Sequence, residues 1–303
     1  MIRLGVNVPN FGPETDLDAL LGWARFAEDN GFATLVVSDH VAPTPEVTAV
    51  YPAPFYDPFV VLTWLAAQTT TIRLGTSVVV LPYRHPLLTA RMSAMVHAIS
   101  HGRFILGVGT GWAATEFAAL GLDVTKRGGT TDAYLDVITR AWAHETVSAR
   151  TAGLDFHDVS TGPTPPGGHV PVWVGGAGPA AVRRAARFAT AWHPINPTLA
   201  WLREVGIPAL ANASTTVGRP DPDLVPRIKA RLQAHPAPSD RPLGVGTLDQ
   251  VVDDLAALAE NGAVEVILDT NPDTPRLRDF RTEQRHLLEI KQAYERRAAQ
   301  RRP

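Results

Sequence analysis

The chain has no cysteine. That excludes a disulfide framework, a thiolate metal centre and a cysteine nucleophile. Neither sign of charge is in excess: 28 Lys and Arg stand against 30 Asp and Glu, a formal net charge of −2. No basic field is therefore available to draw in nucleic acid or an anionic membrane. No run reaches the ~18 unbroken apolar residues of a membrane span, and the first residues enter a β-rich run without a basic-then-apolar leader. These absences predict a soluble, cytoplasmic protein with a small-molecule substrate and no nucleic-acid or membrane partner; a homodimer stays open. The Arg-rich end, R-R-A-A-Q-R-R-P, reads as a solvated helix terminus.

What is present centres on Thr71 to Glu116. Two β-rich runs, Arg73 to Val80 and Arg103 to Val108, flank a helix pattern carrying Leu87, Leu88, Met92, Met95, Val96 and Ile99. Each run ends in small or hydroxyl residues, where a ligand can approach the backbone.

The same strand–helix alternation runs through the chain. Ile2 to Pro9 is a first strand, and Thr15 and Asp16 can cap a helix with Leu17, Leu20, Leu21, Ala24 and Ala27, closed by Gly31. Ala33 to Val37 is a second strand and delivers Ser38-Asp39-His40. The segment 41–58 holds five prolines and must be a loop, long enough to cover a site. A helix around 58–69 precedes the third strand. Residues 113–145 read as one or two helices, and 150–170 as a Gly-, Pro- and Thr-rich excursion. Val170 to Val174 is a fifth strand, followed by a helix over 179–189 and a sixth strand, Thr190 to His193. The stretch 211–226 reads as loop and Arg227 to Leu232 as a weak seventh strand. Thr247-x-x-Gln250 is a capping box, its helix ends at Gly262, Val264 to Leu268 is an eighth strand, and a helix covers about 280–299.

Eight strands alternating with helices predict an α/β fold: a single (β/α)8 TIM barrel with insertions, one domain over 1–303. Its strand C-termini then converge as Asn7, Asp39–His40, Ser77–Val78, Thr110–Gly111, Gly175–Gly178 and His193. His40 and His193 can be catalytic or merely buried. Gly109-Thr-Gly-Trp-Ala-Ala114 has the G-x-G-x-x-A form of a dinucleotide fingerprint, but it follows the fourth strand rather than the first, and no acidic residue closes a second strand ~20 residues later. Val174 to Arg184 is strand, glycine turn and then helix with Pro179 in its first turn, suited to a phosphate or to a plain tight turn. His97 and His101 have helical i, i+4 spacing, yet no carboxylate completes a metal site, and none is predicted.

These segments in this order, G-V-N-V-P-N-F-G, S-D-H, R-L-G-T-S-V, R-H-P, G-R-F-I-L-G-V-G-T-G, P-V-W-V-G-G-A-G and G-T-L-D-Q-V-V-D-D-L, resemble the bacterial luciferase-like superfamily, and within it the branch using coenzyme F420. The resemblance spans nearly the whole chain and implies a barrel with insertions. It implies that Ser38-Asp39-His40 meets the deazaflavin ring, where FMN-using relatives more often carry a Glu-His pair. It further implies a cis peptide between Ser77 and Val78, with Thr76, Ser77 and Val78 against the ring. By the same resemblance Thr110, Gly111 and Thr115 match positions binding the cofactor tail, and Gly176, Ala177 and Gly178 its phosphate loop. Sugar-phosphate dehydrogenases of this branch carry a Glu after the Gly-Thr-Gly, where this chain has Trp112, and a Trp where it has Thr44.

The expectation is an F420-dependent oxidoreductase transferring a hydride between the deazaflavin and a small organic substrate, with reduction of an activated C=C or C=N bond favoured. His40 and Glu116 are the candidate proton donors, and Asn7, Trp112 and His193 the candidate substrate contacts. The rivals are an FMN-dependent monooxygenase of the same fold, a metal-dependent barrel hydrolase and a non-catalytic binding barrel.

Overall fold

The computed structural model describes residues 1–151 and 153–300, so the last arginines of the terminal run lie outside it. β1 (Arg3–Asn7) leads into α1 (Leu17–Asp29), which the Asp16 carboxylate caps by accepting the Ala19 N–H at 2.8 Å. After β2 (Thr34–Val37), the proline-rich segment holds one short helix, α2 (Pro45–Thr48), before α3 (Pro58–Gln68). The third strand comes in two pieces, β3 (Arg73–Thr76) and β4 (Val79–Val80), and is followed by α4 (Pro86–Ile99) and β5 (Phe104–Gly109). The helical pattern beyond it resolves into α5 (Ala114–Ala119) and α6 (Arg127–Ala143). The excursion is an antiparallel hairpin, β6 (Val147–Thr151) and β7 (Leu154–Val159). β8 (Val172–Gly175), α7 (Pro179–Phe188) and β9 (Ala191–His193) resume the alternation.

The stretch expected to be loop is different. A helical turn, α8 (Leu199–Trp201), continues through a π-helical turn over Leu202–Gly206 into α9 (Ile207–Val217), which ends on Gly218 in the left-handed conformation. Alanine, serine and threonine make up much of this helix, which packs against α7 with Leu210 and Ser214 buried. The seventh strand also begins earlier than expected. It consists of β10 (Asp223–Leu224) and β11 (Arg227–Lys229), parted at Pro226, which has no N–H to give to a ladder. Short β12 (Arg231–Leu232) and β13 (Val245–Gly246), then α10 (Leu248–Glu260) with its Thr247–Gln250 capping box, β14 (Glu265–Asp269) and α11 (Phe280–Gln300) complete the order.

The barrel strands pair in parallel as β10-β9-β8-β5-β3-β2-β1-β14-β11. Because β10 pairs with β9 and β11 with β14, the two halves of the seventh strand close the ring. Val36, Ile105, Trp173, Ala191, Val225 and Ile267 pack together as an inner core, while a larger apolar layer joins strands to helices. Burial on both faces explains why these strands read as continuous apolar runs. No helix among the described residues is long and apolar enough to cross a membrane. His97 Nδ1 lies 3.0 Å from the Phe104 carbonyl and serves the turn between α4 and β5.

The start of β3 is tied to α1 by Glu28, whose carboxylate accepts the N–H groups of Thr70, Thr71 and Ile72 at 2.9, 2.6 and 3.0 Å. Burial pushes this carboxyl up, but those bonds outweigh it and bring it from the ordinary 4.5 to about 2. A depressed carboxyl contributes stability that is complete above its unfolded value and lost as pH falls through the folded one. Glu28→Gln is therefore expected to lower Tm at pH 7, with the difference from the parent closing between pH 4.5 and about 2. A thermal-melt series over that range checks it; a pH-independent difference would remove the charge from the account.

Candidate active site

A cavity of about 290 Å³ opens at the C-terminal ends of the strands. Its walls come from Ser38–His40 after β2, Ser77 and Val78 between β3 and β4, Gly109–Trp112 after β5, and Gly175–Gly176 after β8. Tyr51 of the proline-rich segment, Ile195 and Arg227 complete it.

The Ser77–Val78 bond is cis. Val78 lines the cavity, and the glycines of neighbouring strands make the room. A Cβ on Gly109 would lie 2.5 Å from Val78 Cγ2, and one on Gly175 would lie 3.1 Å from Val78 Cγ1. These two glycines therefore seat a side chain as well as admitting a ligand. From behind, Arg227 Nη1 donates to the Ser77 carbonyl at 2.8 Å, and Ser77 Oγ lies 2.9 Å from His193 Nε2. His193 is fully buried and its other nitrogen lies 2.6 Å from the Val225 carbonyl. Burial pushes this imidazole down to about 4, so at neutral pH it is uncharged, donating to Val225 and accepting from Ser77.

On the opposite wall His40 Nδ1 lies 2.6 Å from Glu116 Oε2. Glu116 is fully buried; its other oxygen accepts the Val41 and Ala42 N–H groups at 2.7 and 3.0 Å, and the Tyr83 hydroxyl donates to Oε2 at 3.0 Å. Burial pushes this carboxyl up, but His40 and the two backbone N–H groups outweigh it and hold it below the usual range. An ionised Glu116 makes Nδ1 of His40 a donor and leaves Nε2 as the nitrogen able to exchange a proton. Tyr51, Phe55 and Trp112 ring the imidazole at 5.4, 5.2 and 5.9 Å between centroids.

Asp39 reaches the cavity wall, but its carboxylate is committed. It pairs with both terminal nitrogens of Arg84 at 2.6 and 2.8 Å and accepts the Val80 N–H at 2.9 Å. Arg84 also holds Asp57, the cap of α3, at 2.8 Å. Arg84 thus ties the Ser-Asp-His turn to the end of the proline-rich segment.

Of the residues singled out in the sequence, Asp39, His40, Ser77, Val78, Thr110, Gly111, Trp112 and Gly176 line the cavity. The others lie elsewhere. Glu116 stands behind His40. The Thr76 hydroxyl donates to the Gly107 carbonyl at 2.7 Å. Thr115 is exposed and bonded to Thr44 and Glu46 at 2.6 and 2.7 Å, which fastens the proline-rich segment to α5. Asn7 is buried and donates from Nδ2 to Asp269 at 3.0 Å while its Oδ1 has no hydrogen-bond partner among the described residues, and His193 has both nitrogens engaged. Ala177 borders a different cavity, and Gly178 caps α7. Arg227, Tyr51, Ile195, Tyr83 and Arg84 were not singled out. The L-P-Y-R-H-P run does place Tyr83 and Arg84 between a strand end and a helix start, a position that faces the site in a barrel.

Residues 2–242 match the family model of luciferase-like monooxygenases. A relative from Microbacterium testaceum, F420-dependent glucose-6-phosphate dehydrogenase, is 30% identical over 236 residues, covering 75% of this chain and 66% of that protein. An uncharacterized Mycobacterium tuberculosis protein is 30% identical over 270 residues, covering 80% of this chain and 92% of its own. Among solved structures, a monooxygenase from Streptomyces bottropensis shares the fold with a TM-score of 0.78 at 21% identity, covering 96% of this chain and 98% of its own. An F420-dependent secondary alcohol dehydrogenase does so with a TM-score of 0.78 at 17% identity, covering 97% and 99%. With the ring of parallel strands closed and the cavity set at their C-terminal ends, the match over most of the chain leads to one conclusion: this protein belongs to the luciferase-like monooxygenase family.

Proposed function

We propose that the protein is an F420-dependent oxidoreductase that reduces an activated C=C or C=N bond in a small, largely apolar substrate. The observation that carries this reading is the His40–Glu116 pair, a proton-handling group on the wall of the cavity into which Val78 projects. The walls fit a flat tricycle. Val78, packed against Gly109 and Gly175, offers an apolar surface, and Gly109, Gly111 and Gly175 bring backbone without a Cβ to the cavity wall. When bound, the deazaflavin supplies the hydride at C5.

The chain's own residues do the rest. His40 Nε2 delivers a proton to the substrate atom next to the one that is reduced, and Glu116 keeps the opposite nitrogen as a donor throughout. Trp112, 46% exposed, and Tyr51 give the substrate side an apolar rim. The name of the 30% identical relative supports F420 over FMN. The turn from Gly176 to Gly178 holds the cofactor phosphate through backbone N–H groups at the start of α7.

Titration of the purified protein with F420 and with FMN tests the reading. F420 is expected to bind tighter, and F420H2 to be oxidised under argon by activated alkenes or imines. FMN preference with oxygen uptake from FMNH2 would replace it with a monooxygenase. A Cβ on Gly178 meets nothing within 4 Å. Gly178→Val should therefore weaken F420 binding while leaving Tm nearly unchanged, and equal affinity would take the phosphate off this loop.

A further inference from the structure

A second cavity, of about 340 Å³, opens between the residues that follow β11, the end of β14 and the first turns of α11, and it shares no lining residue with the cavity beside Val78. Asn271 lines it, is 2% exposed, and is held at every polar atom but one. Its N–H donates to Asp269 Oδ1 at 3.0 Å, its carbonyl accepts from Lys229 Nζ at 3.1 Å, and its Oδ1 accepts from Arg278 Nη1 at 2.6 Å. The guanidinium fixes which end of the amide is oxygen, because an NH2 group there would set donor against donor. Nδ2 is left as a buried donor without a partner among the described residues. A buried donor is costly to leave unmade, so the cavity calls for an acceptor. Arg276 also lines it, exposed and with no hydrogen bond or ion pair among the described residues. Arg231 is taken by Asp273 at 2.9 Å. The carboxylates of the lining are engaged as well: Asp269 by Arg227 at 2.8 Å, Glu283 by Arg278 at 2.6 Å, and Asp279 by the Thr282 hydroxyl at 2.7 Å.

We infer that this cavity binds a small monocarboxylate with a short apolar body, its oxygens shared between Asn271 Nδ2 and the Arg276 guanidinium. A planar carboxylate matches the fork of an arginine, and one charge is what a single uncommitted guanidinium balances. A doubly charged phosphate meets more repulsion, because Asp279 keeps its charge and no cation pairs with it. Ala230, Leu232 and Leu277 supply an apolar flank for the carbon chain. The inference stands apart from the F420 reading, since it uses no lining residue of that cavity.

The probes are butyrate and inorganic phosphate, titrated by calorimetry into the full chain. Butyrate is expected to bind, and phosphate to bind more weakly. Asn271→Asp puts an oxygen where the amide donor stands and keeps an acceptor for Arg278. It should weaken butyrate roughly tenfold or more, the worth of a hydrogen bond to a charged group. Arg276→Ala, at an exposed position, should weaken it about two- to fivefold with Tm unchanged. If Asn271→Asp does not fold, Arg276→Ala still decides the matter. Butyrate binding that Arg276→Ala leaves untouched would place the carboxylate elsewhere and overturn the assignment. Phosphate binding tighter than butyrate would overturn the choice of a carboxylate. Binding of neither anion would leave Asn271 to a water molecule and end the proposal.

Discussion

Replacing His40 by alanine is expected to lower the turnover rate ~100- to 10,000-fold, the usual worth of a positioned acid or base. F420 affinity should change far less than the rate, because the imidazole lines the cavity with one nitrogen tied to Glu116. The readout is single-turnover oxidation of F420H2 under argon by a panel of activated alkenes and imines. Glu116→Gln sharpens the result. Its amide oxygen can still accept from Val41 and Ala42, but its NH2 group confronts His40 Nδ1 and forces that nitrogen to accept. The rate should then fall and one limb of the pH–rate profile should shift, with the fold intact. A His40→Ala rate within about threefold of the parent, far inside the acid–base range, would leave the pair a structural role only.

The largest loss of stability is expected at Arg227. Its guanidinium is buried, holds Asp269 Oδ2 from Nε and Nη2 at 3.1 and 2.8 Å, and supports the Ser77 carbonyl. Arg227→Met leaves a buried carboxylate whose nearest remaining cation, Lys229, stands 3.8 Å away. Removing one partner of such a pair costs about 3–5 kcal/mol, or a fall in Tm of roughly 5–10 °C for a chain this size. Arg227→Met with Asp269→Asn should recover part of that loss, because the stranded charge goes as well. Additive losses in the double variant would mean that the pair is not the source.

Much of this arrangement is legible in the sequence, and the exceptions have physical causes. Most of the strands are legible because both faces of a parallel barrel are covered, so their central residues are apolar. His40 and Glu116 are each legible, but they are 76 residues apart, and nothing local shows that the two meet. The strand-end positions of Asn7 and His193 are legible too. Which way each side chain points is not, since successive residues of a strand face opposite sides. Arg227 reads as a charge in a weak strand, and only Asp269 on the adjacent β14 makes it an interior residue. The ring of aromatics around His40 draws Tyr51 and Phe55 from a segment whose prolines announce a loop but not its docking.

The seating of Val78 over Gly109 and Gly175 sets an order on how this site can change. Positions 78, 109 and 175 form one steric unit drawn from three strands. An alanine at Gly109 or Gly175 that arrives first meets the Val78 methyls and is overpacked, at a cost of about 1–3 kcal/mol. Arriving after Val78→Ala, an alanine at Gly109 finds the space vacated, and one at Gly175 is left with the Val108 carbonyl oxygen at 3.3 Å. A lineage or a library that reshapes this wall therefore has a passable route in one direction and an impeded one in the other. Combinatorial variants at the three positions should be screened together, because single substitutions at the glycines would discard combinations that fold.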